Sequence, residues 1–220
     1  MFQALINCKT LTMKYLKVTF GENCNSEIPK FHNFLKNSKI QFLELDNLES
    51  TDGFDTFEFC DFLKNSQYLQ GLSLNYSSMR FKLNRILQAL VSNKTVKILY
   101  FNRMRLSYFS AELSNLILLS TTISTLVFHE PDWTIDLEFI EAICKAKSLS
   151  YLFFVGIDST PIIHIEDKNA FRLSESNLKG INIDYIEISK EAKEAIYKKI
   201  PKIDLPYLNE GLLGFENLLK

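Results

Sequence analysis

A chain of 220 residues allows one domain, or two small ones. Lys+Arg 25 against Asp+Glu 26 leaves a formal charge of −1, which argues against a nucleic-acid partner held through its backbone, since that needs a basic stripe. With 46% hydrophobic residues, 23% charged, 7 Gly and 5 Pro, the chain has the composition of a globular protein rather than of a disordered tract or linker.

The opening stretch MFQALINCKTLTMKYLKVTF lacks a basic n-region, a continuous apolar core and a small-residue cleavage site, so it does not read as a secretory signal. No apolar run is long enough for a membrane span. Cys8, Cys24, Cys60 and Cys144 are scattered without a CxxC pair, which leaves zinc and thioredoxin-like chemistry without support. Together these features predict reduced cysteines in a cytoplasmic protein.

From residue 13 onward one pattern recurs: an apolar residue, two variable ones, an apolar residue, one variable, and another apolar residue. Met13–Leu16–Val18 is the first copy, followed by IQFLELDNL from Ile40, LQGLSLNYS from Leu69 and VKILYFNRM from Val96. ISTLVFHEP from Ile123, LSYLFFVGI from Leu149 and Leu178–Ile181–Ile183 continue the series. The middle positions Leu16, Leu43, Leu72, Leu99, Leu126, Leu152 and Ile181 are spaced by 27, 29, 27, 27, 26 and 29 residues. An eighth, shorter unit is expected at Ile200–Ile203–Leu205, 22 residues later, with Pro201 suiting an edge strand.

Between the strands the apolar period changes to that of a helix. Phe31, Phe34 and Leu35 form one stripe, then Phe59, Phe62 and Leu63, and then Ile86, Leu87 and Leu90. Leu113, Leu116 and Ile117 follow, and then Phe139, Ile140 and Ile143. Spacing of i, i+3, i+4 puts each trio on one helix face. Lys- and Asn-bearing turns such as KNSK at Lys36 and SNKT at Ser92 predict helix stops with Asn in the left-handed conformation. Strand–helix alternation calls for parallel strands.

On these phased copies the chain resembles the leucine-rich-repeat family, and its unit length and helical return segments resemble the ribonuclease-inhibitor-like subclass. The resemblance implies an α/β solenoid of seven to eight repeats. It places a curved parallel sheet on the concave side and helices on the convex side. It covers residues 1–205, with 206–220 as a C-terminal cap or tail. One departure is that the family's turn-capping Asn or Cys is replaced by Leu48, Ser77, Met104, Pro131, Ile157 and Ile186. The strand-to-helix turns must therefore be held in another way. An irregular insertion is expected at 158–177, with Glu166–Asn169 as a polar turn and either a hairpin, an ordered loop or a distorted helix around it. Ser189 is expected to cap a helix over EAKEAIYKKI.

No catalytic, cofactor-binding or metal constellation emerges. His32, His129 and His164 show no HExxH spacing, and GxSxG, P-loop and GxGxxG motifs are absent. The acidic groups Glu44, Asp46 and Glu49, and Glu166–Asp167, read as solvated surface. His129, with Asp132 nearby and Asn102 as a neighbour, is read as a surface hydrogen-bonding residue, with a hydrolase the weaker alternative. Trp133 reads as a packing anchor.

Residues between the apolar strand positions face the other side of the sheet. Stacking the copies brings Ile98, Tyr100, Val127, Tyr151, Phe153 and Val155 into one apolar patch, rimmed by Asn75, Asn102, Arg103 and His129. Contiguous apolar surface with aromatic anchors marks interaction sites. The partner-binding set is thus Ile98, Tyr100, Asn102, Val127, His129, Tyr151, Phe153 and Val155, with coverage by the insertion or the tail as the alternative. The function expected is a non-enzymatic scaffold binding a protein partner through the concave face. The family resemblance implies the same role. The Lys-, Asn-, Ile- and Phe-rich wording resembles effectors that intracellular bacteria deliver into host cells. The alternatives are a substrate-recruiting adaptor of a larger enzyme such as a ubiquitin ligase, and a homodimer formed through the patch.

Overall fold

The computed structural model describes residues 12–21, 24–48, 54–75, 82–156 and 163–204. Along them run β1 (Thr12–Thr19), α1 (Ile28–Asn37), β2 (Lys39–Asp46), α2 (Thr56–Asn65), β3 (Gly71–Asn75) and α3 (Lys82–Ser92). Then follow β4 (Ile98–Asn102), α4 (Ser110–Leu119), β5 (Thr125–His129), α5 (Leu137–Lys145) and β6 (Tyr151–Val155). The last elements are β7 (Ile163–His164), α6 (Asp167–Leu173), β8 (Gly180–Asn182), β9 (Ile186–Glu187) and α7 (Lys190–Lys199). Seven strands form one parallel sheet in chain order, β1-β2-β3-β4-β5-β6-β8. β7 and β9 form a separate parallel pair.

Register follows the repeat. Leu16, Leu43, Leu72, Leu99, Leu126, Leu152 and Ile181 lie side by side across the sheet. Two residues further along each strand, on the same face, lie Val18, Leu45, Leu74, Phe101, Phe128 and Phe154. The five expected helix stripes are buried against this face in one continuous core. Phe substituting for Leu adds stacking. Phe128 lies 5.4 Å from both Phe101 and Phe154, with ring planes 8° and 18° apart. Trp133 closes this layer, edge-on to Phe139 at 4.4 Å and fully buried. Such pairs add about 0.5–1.5 kcal/mol beyond their area burial.

The turns are held by two devices. After the strands, Asn47, Arg103 and Glu130 take positive φ of 57°, 52° and 47°, and the backbone ladder continues past the strand ends. Asn47 N–H donates to Asn75 O at 3.3 Å, Arg103 N–H to His129 O at 2.8 Å, and Glu130 N–H to Val155 O at 2.8 Å. Leu48 and Met104 fill the space beneath. Backbone and apolar packing thus stand where the family resemblance implies a side-chain ladder.

After the helices, the expected left-handed Asn stops do not form. Ser38, Ser66, Ser120 and Ala146 end their helices in extended conformation. A polar column carries the turn instead. Ser66 Oγ accepts from Leu69 N–H, and Ser120 Oγ accepts from Ile123 N–H. Buried Asn93 lies between them, accepting from Thr95 and Val96 N–H and donating to Leu63 O. A short polar side chain that caps the following turn removes the need for a left-handed residue.

Two other expectations are decided by the structure. Of the alternatives left open within 158–177, a short helix forms and Glu166–Asn169 is not a hairpin turn. Glu166 is the N-cap of α6, whose Asn169, Ala170 and Leu173 are buried, and Ile163–His164 pairs in parallel with β9. The eighth unit is one residue out of phase. Ile181 N–H donates to Pro201 O and Ile203 N–H to Ile181 O, both at 3.1 Å, so Lys202 lies opposite Ile181. Ile203 therefore turns to the face away from the helices, where it packs against a second apolar cluster that includes Phe153. A Cβ on Gly180 would overlap Ile203 Cδ1. The Ser189 cap of α7 forms as expected, accepting from Ala192 N–H at 3.1 Å. Leu205 and the tail 206–220 lie outside the described residues, as do Cys8, Glu49, Ser77 and Ile157. Cys24, Cys60 and Cys144 are free thiols. No described helix is long and apolar enough to cross a membrane.

Candidate functional site

The helix-free face of the sheet is written by three columns. The first is Tyr15, Phe42, Gly71, Ile98, Thr125, Tyr151 and Gly180, and the second is Lys17, Glu44, Ser73, Tyr100, Val127, Phe153 and Asn182. The third is Thr19, Asp46, Asn75, Asn102, His129 and Val155. These columns make two chemically different zones.

At the β1–β3 end lies a polar cluster. Glu44 and Asp46, read from sequence as solvated, are buried at 5% and 8% exposure. Lys17 Nζ bridges them at 2.6 and 2.9 Å. Asn75 donates to both carboxylates and accepts from Ser73, and Tyr15 donates to Glu44. Burial works against the Lys17 ammonium, but its bonds to Glu44 and Asp46 prevail and raise its pKa. Burial and then the Glu44 bond hold the Tyr15 hydroxyl above its ordinary range. The signal for this zone was its spacing of one repeat, which only the columns reveal. Buried charges persist when paired and hydrogen-bonded in this way.

The middle zone is apolar. Phe42, Ile98, Tyr100, Val127, Phe153 and Val155 form one cluster separate from the helix-side core, with Tyr15, Tyr151 and Ile203 packed against it. The expected patch residues are thus brought together, joined by Phe42 and Ile203. The patch is not the open surface expected, however. Ile98, Val127 and Phe153 are 0% exposed, Val155 1% and Tyr100 3%. Tyr151, Asn102 and His129 at its margin are part-exposed.

At that margin Tyr100 Oη lies 2.9 Å from His129 Nδ1. Burial lowers the His129 pKa, opposed by Glu130 and reinforced by Arg103, and burial pushes the Tyr100 hydroxyl up. Glu130 is ion-paired with Arg103, and Asp132, expected beside His129, lies 3.6 Å from Arg105 instead. Among the described residues, His129 Nε2 and its register neighbour's Asn102 Oδ1 are buried without a hydrogen-bond partner. In the tautomer that accepts the Tyr100 proton at Nδ1, His129 Nε2 is a donor and Asn102 Oδ1 an acceptor, on residues paired in register.

Other features lie away from this face. A cleft of about 490 Å³ opens where α1 and α2 end, lined among others by Lys36, Asp61, Phe62 and Tyr68. Among the described residues no group of His, Cys, Asp and Glu is placed to hold a metal ion. No protein-family model matches the chain, and no curated protein matches it in sequence.

Proposed function

We propose that the chain is a leucine-rich-repeat solenoid of the ribonuclease-inhibitor-like type, with seven to eight repeats. Its role on this reading is that of a non-enzymatic scaffold that binds a segment of a protein partner on the concave, helix-free face. The observation that carries this reading is the second apolar cluster. A sheet needs only one apolar face to bury its helices, yet here six large side chains gather on the other. At the cluster's edge, His129 Nε2 and Asn102 Oδ1 match the donor and acceptor of a peptide backbone. Apolar anchors beside such a polar margin are the anatomy of an interaction site.

The test is affinity capture with wild type beside Tyr151→Glu and Asn102→Ala/His129→Ala variants, whose residues are part-exposed and whose folding is checked by circular dichroism. A protein retained by wild type and lost by both folded variants is the expected result. Equal retention by all three removes the reading.

A further inference from the structure

We propose that the rim of the fold where helices end and strands begin docks on an anionic phospholipid bilayer, with Leu118 and Leu119 entering the interface and the flanking lysines on the headgroups. This rim is a separate surface from the helix-free face, and a protein partner there neither requires nor excludes the contact.

The rim follows from the topology. Each helix hands the chain to the next parallel strand through a short turn, so these turns lie along one edge of the sheet. They are packed side by side. Lys97 N–H donates to Gln70 O, Ser124 N–H to Lys97 O, Ser150 N–H to Ser124 O and Lys179 N–H to Ser150 O, all at 2.7–2.9 Å. Nearer the helices a second row runs in step, with Thr122 Oγ1 donating to Asn93 O and Ser148 Oγ to Ser120 O.

The charge on this rim is one-sided. Lys36 and Lys145 pair with Glu58 and Glu141, whereas Lys64, Lys94, Lys97, Lys147 and Lys179 are exposed and make no ion pair among the described residues. Residues 62–111 contain no Asp or Glu, and the exposed acids Asp61 and Glu175 stand towards the two ends of the rim. The helix dipole accounts for lysines in a last turn, but Lys94, Lys97, Lys147 and Lys179 lie beyond the helix ends. Acid collects where the helices begin. Asp55 and Asp136 are caps, and Glu58, Glu112, Glu138 and Glu191 lie in first turns. A formal charge of −1 thus conceals two rims of opposite sign, and an anionic plane attracts one while repelling the other.

An independent observation lies in the middle of the basic rim. α4 ends in Leu118 and Leu119, 44% and 55% exposed, where α1 and α2 end in Lys36–Asn37 and Lys64–Asn65 and α5 ends in Lys145. The turn after these leucines is bonded through Thr122 to the turn that carries Lys94 and through Ser120 to the turn that carries Lys147. Lysines therefore flank the leucines on both sides. A single exposed apolar residue is ordinary. Two adjacent leucines between unpaired lysines have the pattern of an interfacial anchor, with aliphatic side chains in the acyl boundary and ammonium groups at the headgroups. Tyr68, 43% exposed on the turn after Lys64, suits the same boundary. A nucleic acid is met instead by arginine forks and open stacking platforms, and here Lys39 lies over the Tyr68 ring.

The experiment is co-sedimentation of the full chain with vesicles of phosphatidylcholine alone or mixed with phosphatidylserine. Binding to the phosphatidylserine vesicles and not to phosphatidylcholine alone is expected, weakening as salt rises. Lys94→Glu/Lys97→Glu should weaken it by at least about ten-fold, and Leu118→Ser/Leu119→Ser several-fold. Circular dichroism checks that both variants are folded. Phe57→Ser, which removes an apolar side chain 64% exposed at the acidic rim, should bind as wild type. Absence of binding to phosphatidylserine vesicles, full binding by either folded rim variant, or an equal loss in Phe57→Ser would overturn the proposal. Retention of a single-stranded oligonucleotide without vesicle binding would assign the rim to nucleic acid and overturn it as well. Tyr151→Glu should leave vesicle binding unchanged, so the partner reading of the helix-free face and this one fail separately.

Discussion

Tyr100 Oη and His129 Nδ1 meet at 2.9 Å across β4 and β5, with their rings 6.1 Å apart and near-perpendicular. The contact joins the apolar cluster to its polar margin. It anchors the imidazole at the register position opposite Asn102, and burial favours the uncharged form of both partners. Because His129 Nε2 is buried and unpaired among the described residues, this margin is the part of the face where a bound backbone has most to gain.

The buried histidines predict acid sensitivity. His32 is 2% exposed, and burial lowers its pKa from 6.5, with Glu58 and Asp55 opposing and Lys36 assisting. His129 shifts in the same direction. A base with a depressed folded pKa stays neutral in the native state while the unfolded chain takes up the proton first. The contribution to stability is therefore whole above 6.5 and declines as pH falls through that value towards the folded pKa. Urea midpoints measured from about pH 7 to pH 5 should fall, and His32→Leu should flatten the slope. An unchanged slope in that variant contradicts the assignment.

Phe128 is the keystone of the helix-side core, touching Phe101, Phe154, Trp133 and Phe139. Phe128→Ala should cost about 3–5 kcal/mol in equilibrium denaturation. Phe128→Leu, which introduces the residue found at this position in β2 and β3 as Leu45 and Leu74, should cost less. Equal losses would mean that refilling the space with an aliphatic side chain recovers nothing, against the expected order.

Asn93 links consecutive repeats at the helix-end turns. Asn93→Ala leaves Leu63 O and the Thr95 and Val96 N–H groups without their partner, and should cost at least about 2 kcal/mol. The counterpart Ser120→Ala, with two backbone donors at 3.1 and 3.3 Å, should cost less. Chemical denaturation of both variants checks the order.

Gly180 and Ile203 are coupled by space. Gly180→Ala should destabilise by about 1–3 kcal/mol through overpacking, and adding Ile203→Ala should recover part of that loss. Strict additivity in the double-mutant cycle would place Ile203 elsewhere.

Most of the sheet was legible from residue order. A strand period of two and a helix period near four leave different traces, and repetition at 26–29 residues lets each copy check the others. The features that escaped depend on single bonds or distant partners. α6 was hidden because few of its residues face inward, only Asn169, Ala170 and Leu173, while Phe171 points outward at 42% exposure. The phase of Ile203 turns on how Pro201 O and Ile203 N–H pair with Ile181, which no pattern announces. Glu44 and Asp46 looked solvated because Lys17 and Asn75, which pair with them, lie a repeat away. The patch residues were legible as neighbours, but burial is a property of what lies above them.

The most direct test of the central claim is a photo-cross-linking comparison in cell lysate, with p-benzoylphenylalanine at Tyr151 on the helix-free face or at Phe171 on α6. The account predicts that a protein partner is cross-linked from Tyr151 and not from Phe171. Cross-linking from Phe171 alone, or equally from both positions, would contradict it.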